Sequence, residues 1–220
     1  MKRNTFSRKI YKLKNKILKR KIDTLDYWEK RYSSGGNSGV GSYGKMALYK
    51  AKIINQFVKE NSIQSVTEFG CGDGNQLGLA NYPKYVGFDI SEAAINICKN
   101  KFKSDATKTF RMLNTYKGDQ ADLTLSLEVI FHLLEENLFI KHMQVLFNSS
   151  KKFVIIFSSN SDDNKDYVGT HMRQWRFTDW VDQNQNDWNL IEHIPNKYPY
   201  KKKTGEGSIS DFYIYRKIVV

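Results

Sequence analysis

From residue 45 onward, short apolar runs alternate with longer amphipathic stretches, and that alternation predicts an α/β domain. Residues 63–69 form the first strand-like run and end in a glycine-rich turn, after which a helical segment is expected. Runs at 85–89, 109–113, 123–127 and 153–157 follow, and 188–194 with 211–218 read as a terminal hairpin. Between them, 45–60 has helical spacing with Met46, Leu48, Ile53, Ile54 and Phe57 inward. Residues 91–101 form a helix behind Ser91 as N-cap. Residues 136–147 carry Phe139, His142, Met143, Val145 and Leu146 as a third helix, and Thr178 caps a short helix to residue 182. Near-continuous apolar strands separated by helices imply a mostly parallel sheet covered on both faces. Such a sheet binds ligands at the carboxyl ends of its strands.

The first of those ends is the most informative. Glycine serves where a chain turns sharply or where backbone must touch a ligand. A dinucleotide turn, G-x-G-x-x-G, fails here, because its third glycine would fall on Asn75 or Leu77. The pattern E-x-G-x-G-x-G is complete in Glu68, Gly70, Gly72 and Gly74. The second strand ends in Asp89, 15 residues past Gly74, where a carboxylate can accept both hydroxyls of a ribose. The fourth strand runs into Glu128-Val129-x-x-His132. These three pieces, in this order, resemble the class I S-adenosylmethionine (SAM)-dependent methyltransferases over roughly residues 44–218.

The resemblance implies a seven-stranded, mostly parallel Rossmann-like methyltransferase sheet with helices on both faces and a reversed edge strand. It also implies S-adenosyl-L-methionine as cofactor. The positions it assigns to the cofactor are Glu68, Gly70, Cys71, Gly72, Gly74, Asp89, Ile90, Glu128 and Val129, with Leu113 and Asn114 against the adenine. Residues 33–44 hold five glycines and form a loop, either a lid or a solvated linker. In methyltransferases of this kind, the segment corresponding to 26–60 covers the cofactor. Ser42 and Tyr43 are the candidates to reach its methionine end. The run 27–44 further resembles small bacterial or viral methyltransferases associated with surface-polysaccharide assembly, which implies O-methylation of a sugar or of a phosphate-bearing glycan component.

A hydroxyl acceptor calls for a general base, usually histidine. Of four histidines, His142 and His193 sit where a structural role is expected. His171, in a loop rich in Arg and Trp, is the first candidate for base or acceptor-positioning group, and His132 is the second. Arg173 and Arg176 are candidate ligands for an acceptor phosphate or carboxylate. Trp175 is a candidate platform for a sugar face. No N/D-P-P-Y/F run follows the fourth strand and no Pro-Cys nucleophile occurs, which argues against amino-methylation of DNA bases or glutamine and against cytosine C5 chemistry. Two cysteines without a C-x-x-C spacing argue against zinc, a cluster or a disulfide framework, and no metal is expected. Asp162, Asp163 and Asn164 read as a polar surface loop.

Charge changes the picture in one place. The net charge is +12, yet residues 1–21 hold ten Lys and Arg and no acid, so the remainder is nearly neutral. Phe6, Ile10, Leu13 and Ile17 recur at helical spacing among those bases, dividing the chain into a basic amphipathic helix, 1–25, and a methyltransferase domain, 26–220. The helix is expected to pack on the domain, to touch an anionic membrane surface weakly, or to anchor RNA. The principal expectation is therefore a cytoplasmic enzyme, in places peripheral to the inner membrane face, acting on a small-molecule or glycan acceptor rather than nucleic acid. An RNA methyltransferase anchored by residues 1–21 and a non-catalytic SAM-binding scaffold stand as alternatives.

Overall fold

The computed structural model describes residues 22–218, so residues 1–21 of the proposed basic helix lie outside the described residues, while Thr24 and Leu25 at its expected end belong to the next helix. The first element is α1 (Thr24–Ser33), capped by Asp23, whose carboxylate accepts the Asp26 N–H at 2.8 Å. After it come α2 (Gly44–Glu60), β1 (Val66–Phe69), β2 (Tyr85–Asp89) and α3 (Glu92–Lys101). Next are β3 (Lys108–Met112), β4 (Ala121–Leu127), α4 (Glu136–Asn148) and β5 (Ser150–Ser158). The described chain ends with α5 (Phe177–Asn184), β6 (Trp188–Ile194) and β7 (Asp211–Lys217).

The strands form one sheet in the order β3-β2-β1-β4-β5-β7-β6. Neighbours from β3 to β5 are parallel, while β7 runs antiparallel to both β5 and β6 and is the reversed strand at that side of the sheet. The order reverses between β1 and β4, and a crevice opens there above the carboxyl ends. Strands β1 and β4 are buried along their whole length, as central parallel strands covered on both faces should be. Met46, Ile54 and Phe57 of α2 pack with Ile95 and Cys98 of α3 against Leu123 and Leu125 on one face. Phe139 and Met143 of α4 and Phe177 and Val181 of α5 pack against Phe69, Val154 and Ile156 on the other.

Three local expectations are corrected. No α-helix follows the glycine turn. The chain makes a single 3₁₀ turn, Leu77–Leu79, before β2. Leu48 is 61% exposed, because the buried stripe of α2 runs Met46, Ala47, Lys50, Ala51, Ile54, Phe57 and Val58. A lysine occupies the inward position instead, for a reason found in the site. Thr178 does not cap α5. Its hydroxyl and N–H bond to Asn160, and α5 starts one residue earlier at Phe177. Ser91 caps α3 as expected, its hydroxyl accepting the Ala94 N–H at 3.1 Å.

Candidate active site

The carboxyl ends of β1, β2 and β4 open into a cavity of about 1180 Å³. Its floor is the glycine turn. Gly70 and Gly72 have φ of +92° and +55°, and both line the cavity. A Cβ on Gly70 would lie 2.4 Å from Val129 Cγ2, and one on Gly72 would lie 2.4 Å from Ser38 Oγ. Backbone is therefore pressed between β4 and the covering loop, where only glycine fits. Gly74 does not line the cavity. It faces Phe102 and Cys98, so its job is to let α3 approach. Cys98 donates its thiol to the Gly72 carbonyl at 3.1 Å, and both cysteines are free and buried.

Asp89 ends β2 with its carboxylate at the cavity wall. It accepts the N–H of Gly72 at 2.9 Å on one oxygen and that of Ser91 at 2.9 Å on the other. Burial pushes its carboxyl up, and the N–H donors of Ser91, Gly72 and Ile90 only partly offset it. Each oxygen keeps lone-pair capacity, so a ribose diol can be bound here. Ile90, Leu113 and Asn114 line the same wall, and Cys71 lines the floor. Glu68 also reaches the cavity, but it accepts the Tyr85 hydroxyl at 2.6 Å, and burial lifts its carboxyl to about 7. It supports the floor from beneath.

Glu128 stands at φ +60°, unusual for a side-chain-bearing residue. Its carboxylate accepts from Lys50 at 2.8 Å and from the Ser208 hydroxyl at 3.1 Å, and it abuts Gly41, where a Cβ would meet it at 1.9 Å. This explains the inward lysine of α2: Lys50, fully buried, reaches across the sheet edge to Glu128. One carboxylate thus ties α2, the loop around Gly41 and the β6–β7 loop to the end of β4.

Residues 34–43 form the roof. Asp73, between two glycines of the turn, accepts the Ser38 N–H at 2.9 Å, the Tyr43 hydroxyl at 2.8 Å and the Asn75 N–H at 2.9 Å. Its own N–H donates to Ser38 Oγ at 3.0 Å. Burial alone raises its carboxyl, but these donors outweigh burial and hold it below the usual carboxylate value. Ser42 lines the cavity, and its carbonyl accepts from Asn75 at 2.7 Å. Tyr43 does not line it. Its hydroxyl is spent on Asp73, so it latches the roof instead of reaching the methionine end.

Beyond the glycine turn the cavity meets an aromatic stack. The His171 ring lies parallel to Tyr27 at 4.7 Å and to His132 at 5.2 Å, with Trp28 edge-on to His132 at 4.9 Å. His132 Nδ1 lies 3.1 Å from the His171 carbonyl, which can only accept, so Nδ1 carries the proton and Nε2 the lone pair. Burial pulls His132 down to about 4, only partly offset by its bond to the His171 carbonyl, and burial and the Arg31 charge also lower His171. Both rings are neutral at pH 7. His142 is buried against Ser126 Oγ at 2.8 Å, a packing role.

The Arg/Trp loop lies elsewhere. Phe139 stacks on Trp175 at 4.4 Å while the Arg173 guanidinium sits 3.7 Å from the same ring, leaving no face for a sugar. Trp175 Nε1 donates to the Leu133 carbonyl and Arg173 Nη1 to the Leu134 carbonyl, at 2.8 and 3.0 Å. Arg176 pairs on the surface with Asp162 at 2.9 Å. None of the three lines the cavity. Among the described residues, the cations that do are Arg31, Lys50, Lys141 and Lys202. Pattern reasoning missed Asp73 and Lys50. Asp73 was visible as the acid between the last two glycines, and Lys50 as a charge in an apolar helical stripe.

Residues 44–199 match the family model of the methyltransferase domain. No curated protein matches the chain. The N-methyltransferase NodS of Bradyrhizobium japonicum WM9, solved with S-adenosyl-L-homocysteine (SAH), superimposes with a TM-score of 0.69 at 12% identity, covering 89% of this chain and 99% of that one. The magnesium protoporphyrin IX methyltransferase ChlM of Synechocystis PCC 6803, solved with SAM, gives 0.63 at 14% identity, with 90% and 99% covered. The methyltransferase domain of bacterial CtHen1 gives 0.60 at 18%, with 77% and 97% covered. The backbone cradle at Gly70 and Gly72 and the carboxylate of Asp89 would suit the nucleoside that SAH in the first of these structures and SAM in the second have in common. The chain belongs to the methyltransferase domain family and is a SAM-dependent methyltransferase.

Proposed function

We propose that this enzyme methylates an oxygen of a small acceptor: a sugar, a nucleotide-sugar or a phosphate-bearing precursor of a surface polysaccharide. The observation that carries the reading is His132, a neutral imidazole at the cavity wall whose tautomer is set by the His171 carbonyl. Structural neighbours include an N-methyltransferase and a carbon methyltransferase, so the atom methylated must be argued from the site. An amine is nucleophilic once neutral. A hydroxyl must shed its proton as it reacts, and in this reading His132 Nε2, the ring nitrogen that carries the lone pair, takes it.

Gly70, Gly72 and Asp89 would hold the cofactor, with Ile90, Leu113 and Asn114 beside its base. SAM, when bound, supplies a methyl group already activated on a sulfonium. The chain's task is then alignment, proton removal and exclusion of water. Proton transfer to Nε2 makes an imidazolium whose Nδ1–H bond to the His171 carbonyl strengthens. Glu128 lies near enough to favour that cation. Tyr27 and His132 sandwich His171 and hold its backbone in position. In this reading the order of the two candidate histidines is reversed: the side chain of His132 takes the base role and the His171 carbonyl positions it.

The glycan assignment is supported by the resemblance of residues 27–44 to polysaccharide-associated methyltransferases, a run that builds α1 and the roof. The ten bases of residues 1–21 suit weak contact with an anionic membrane surface, where such glycans are assembled. The test is transfer of a labelled methyl group from SAM into host extract separated into small molecules, glycan, RNA and protein. Label in sugar-containing small molecules or glycan, as a methyl ether, is expected. Label in RNA overturns the reading in favour of a nucleic-acid substrate, and SAM binding with no transfer to any fraction favours a scaffold.

A further inference from the structure

A second recess, about 370 Å³ in volume, adjoins the acceptor side of the cavity. Asp166, Tyr167 and Ile209 line both spaces, so the two lie side by side. The volume lies at the lower end of small-molecule sites, about 300–1,000 Å³. Two of its lining groups are Ser159, 4% exposed, and Gln174, 6% exposed. Among the described residues, Ser159 Oγ and Gln174 Oε1 have no hydrogen-bond partner. Buried polar atoms are rarely left so, and each needs an explanation.

The charged groups around them are already engaged. Asp211 binds His193 Nε2 at 2.9 Å and the Asn196 N–H at 2.8 Å. Asp166 pairs with Lys202 at 3.2 Å, and Asp163 accepts the Lys165 N–H at 3.2 Å. Three carboxylates beside the recess oppose an anionic guest. What stays unpartnered is a neutral carboxamide oxygen and a hydroxyl, both buried at the recess wall, which suit O–H donors.

We propose that this recess is a subsite for the uncharged, hydroxyl-bearing ring of the acceptor, with Gln174 Oε1 and Ser159 Oγ receiving its hydroxyl protons. The inference rests on the oxygen-methylation reading and deepens it: the reacting hydroxyl faces His132 while the sugar's other hydroxyls enter the recess. Any phosphate on the acceptor is kept in the main cavity, near Arg31 and Lys141.

The test is saturation-transfer NMR on the full chain loaded with SAH, using glucose, galactose, mannose and N-acetylglucosamine as probes. At least one is expected to receive saturation from the wild-type protein. Gln174→Leu is expected to weaken that binding about fivefold, the effect of one lost neutral hydrogen bond, with SAH affinity by calorimetry unchanged. Ser159→Ala, a change too small to disturb folding, should weaken it in the same direction. Saturation unchanged in both variants would overturn the subsite and leave the recess to solvent. Absence of saturation for every probe on the wild-type protein would overturn it equally. The outcome does not depend on turnover. Should the extract experiment find a methylated amine while sugars still bind through Gln174, the oxygen reading fails and the subsite stands.

Discussion

Asp73 holds the roof closed, and Asp73→Asn should open it. One oxygen of Asp73 takes two donors from the roof, the Ser38 N–H and the Tyr43 hydroxyl, while the other takes Asn75 of its own turn. An amide offers one acceptor oxygen and turns an NH₂ toward the remaining donors, so at least one bond is lost and the charge assistance to all of them disappears. A hydrogen bond to a charged group contributes about 1.5–3 kcal/mol. Asp73 is 7% exposed, so little of that is recovered by water. At about 1.4 kcal/mol per factor of ten, roof opening should become about 10- to 100-fold more frequent. The assay is twofold: hydrogen exchange at the amides of residues 38–43, and the rate at which SAH leaves, followed by stopped-flow fluorescence of the aromatic cluster around Trp28. Both should rise by similar factors, since cofactor release waits on opening. Unchanged exchange with unchanged release would refute the latch. Faster release without faster exchange would place the effect on the glycine floor.

The same bonds give the latch a pH signature. Asp73 titrates below its ordinary 3.8 in the folded protein. A carboxyl with a depressed folded pKa contributes stability above its unfolded value and loses it as pH falls through the folded one. The wild-type roof should therefore stay closed across neutral pH and loosen only in acid, and the Asn variant should lack that acid step.

Asp89→Ala should weaken SAM binding about 10- to 100-fold by calorimetry, through loss of the ribose acceptor, and unchanged affinity would remove that assignment. Gly70→Ala places a methyl 2.4 Å from Val129 at φ +92° and should destabilise the fold by about 1–3 kcal/mol in urea. Adding Val129→Ala should recover part of that loss, and no recovery would mean backbone strain alone is responsible. Lys50→Met leaves Glu128 without its cation and should cost about 3–5 kcal/mol, while Lys50→Met with Glu128→Gln should cost clearly less, as seen by chemical denaturation. Burial lifts Glu68 from 4.5 to about 7, so the folded state holds that proton more tightly and stability should fall as pH climbs between those values. Glu68→Gln should flatten that slope, and an identical pH profile would show that Glu68 is not its source.

The cofactor half of the site was legible because its parts are close in sequence and answer to local rules. Gly70 and Gly72 sit where the backbone needs positive φ, Asp89 ends an apolar strand, and Ser91 caps the next helix. What local rules cannot see are partners supplied from far along the chain. The apolar pattern turns Leu48 inward, yet Lys50 holds the inward position because Glu128 waits 78 residues later. Strand β5 begins at polar Ser150, before its apolar run, because Ala121 of β4 pairs with it. The missing helix after the glycine turn leaves no local mark either, since a single 3₁₀ turn suffices to reach β2.

The acceptor half shows the same contrast more sharply. Arg173, Trp175 and Arg176 have the chemistry of a sugar-phosphate site, and they follow the right strand. Yet the Leu133 and Leu134 carbonyls at the end of the His132 turn require donors, and Trp175 and Arg173 supply them. They thus brace the turn that carries His132 from behind, in the same loop that carries His171. The groups that face the cavity come from the neighbouring stretches, Asp166 and Tyr167 before them and Lys202 and Ser208 from the β6–β7 loop. These loops carry few core residues and are free to change without disturbing β1, β2 or the glycine turn. A fold arranged this way can keep one cofactor and exchange acceptors. Acceptor identity must therefore be sought in the loops around residues 159–174 and 195–210, and mutations there should alter acceptor KM while leaving SAH affinity at its wild-type value.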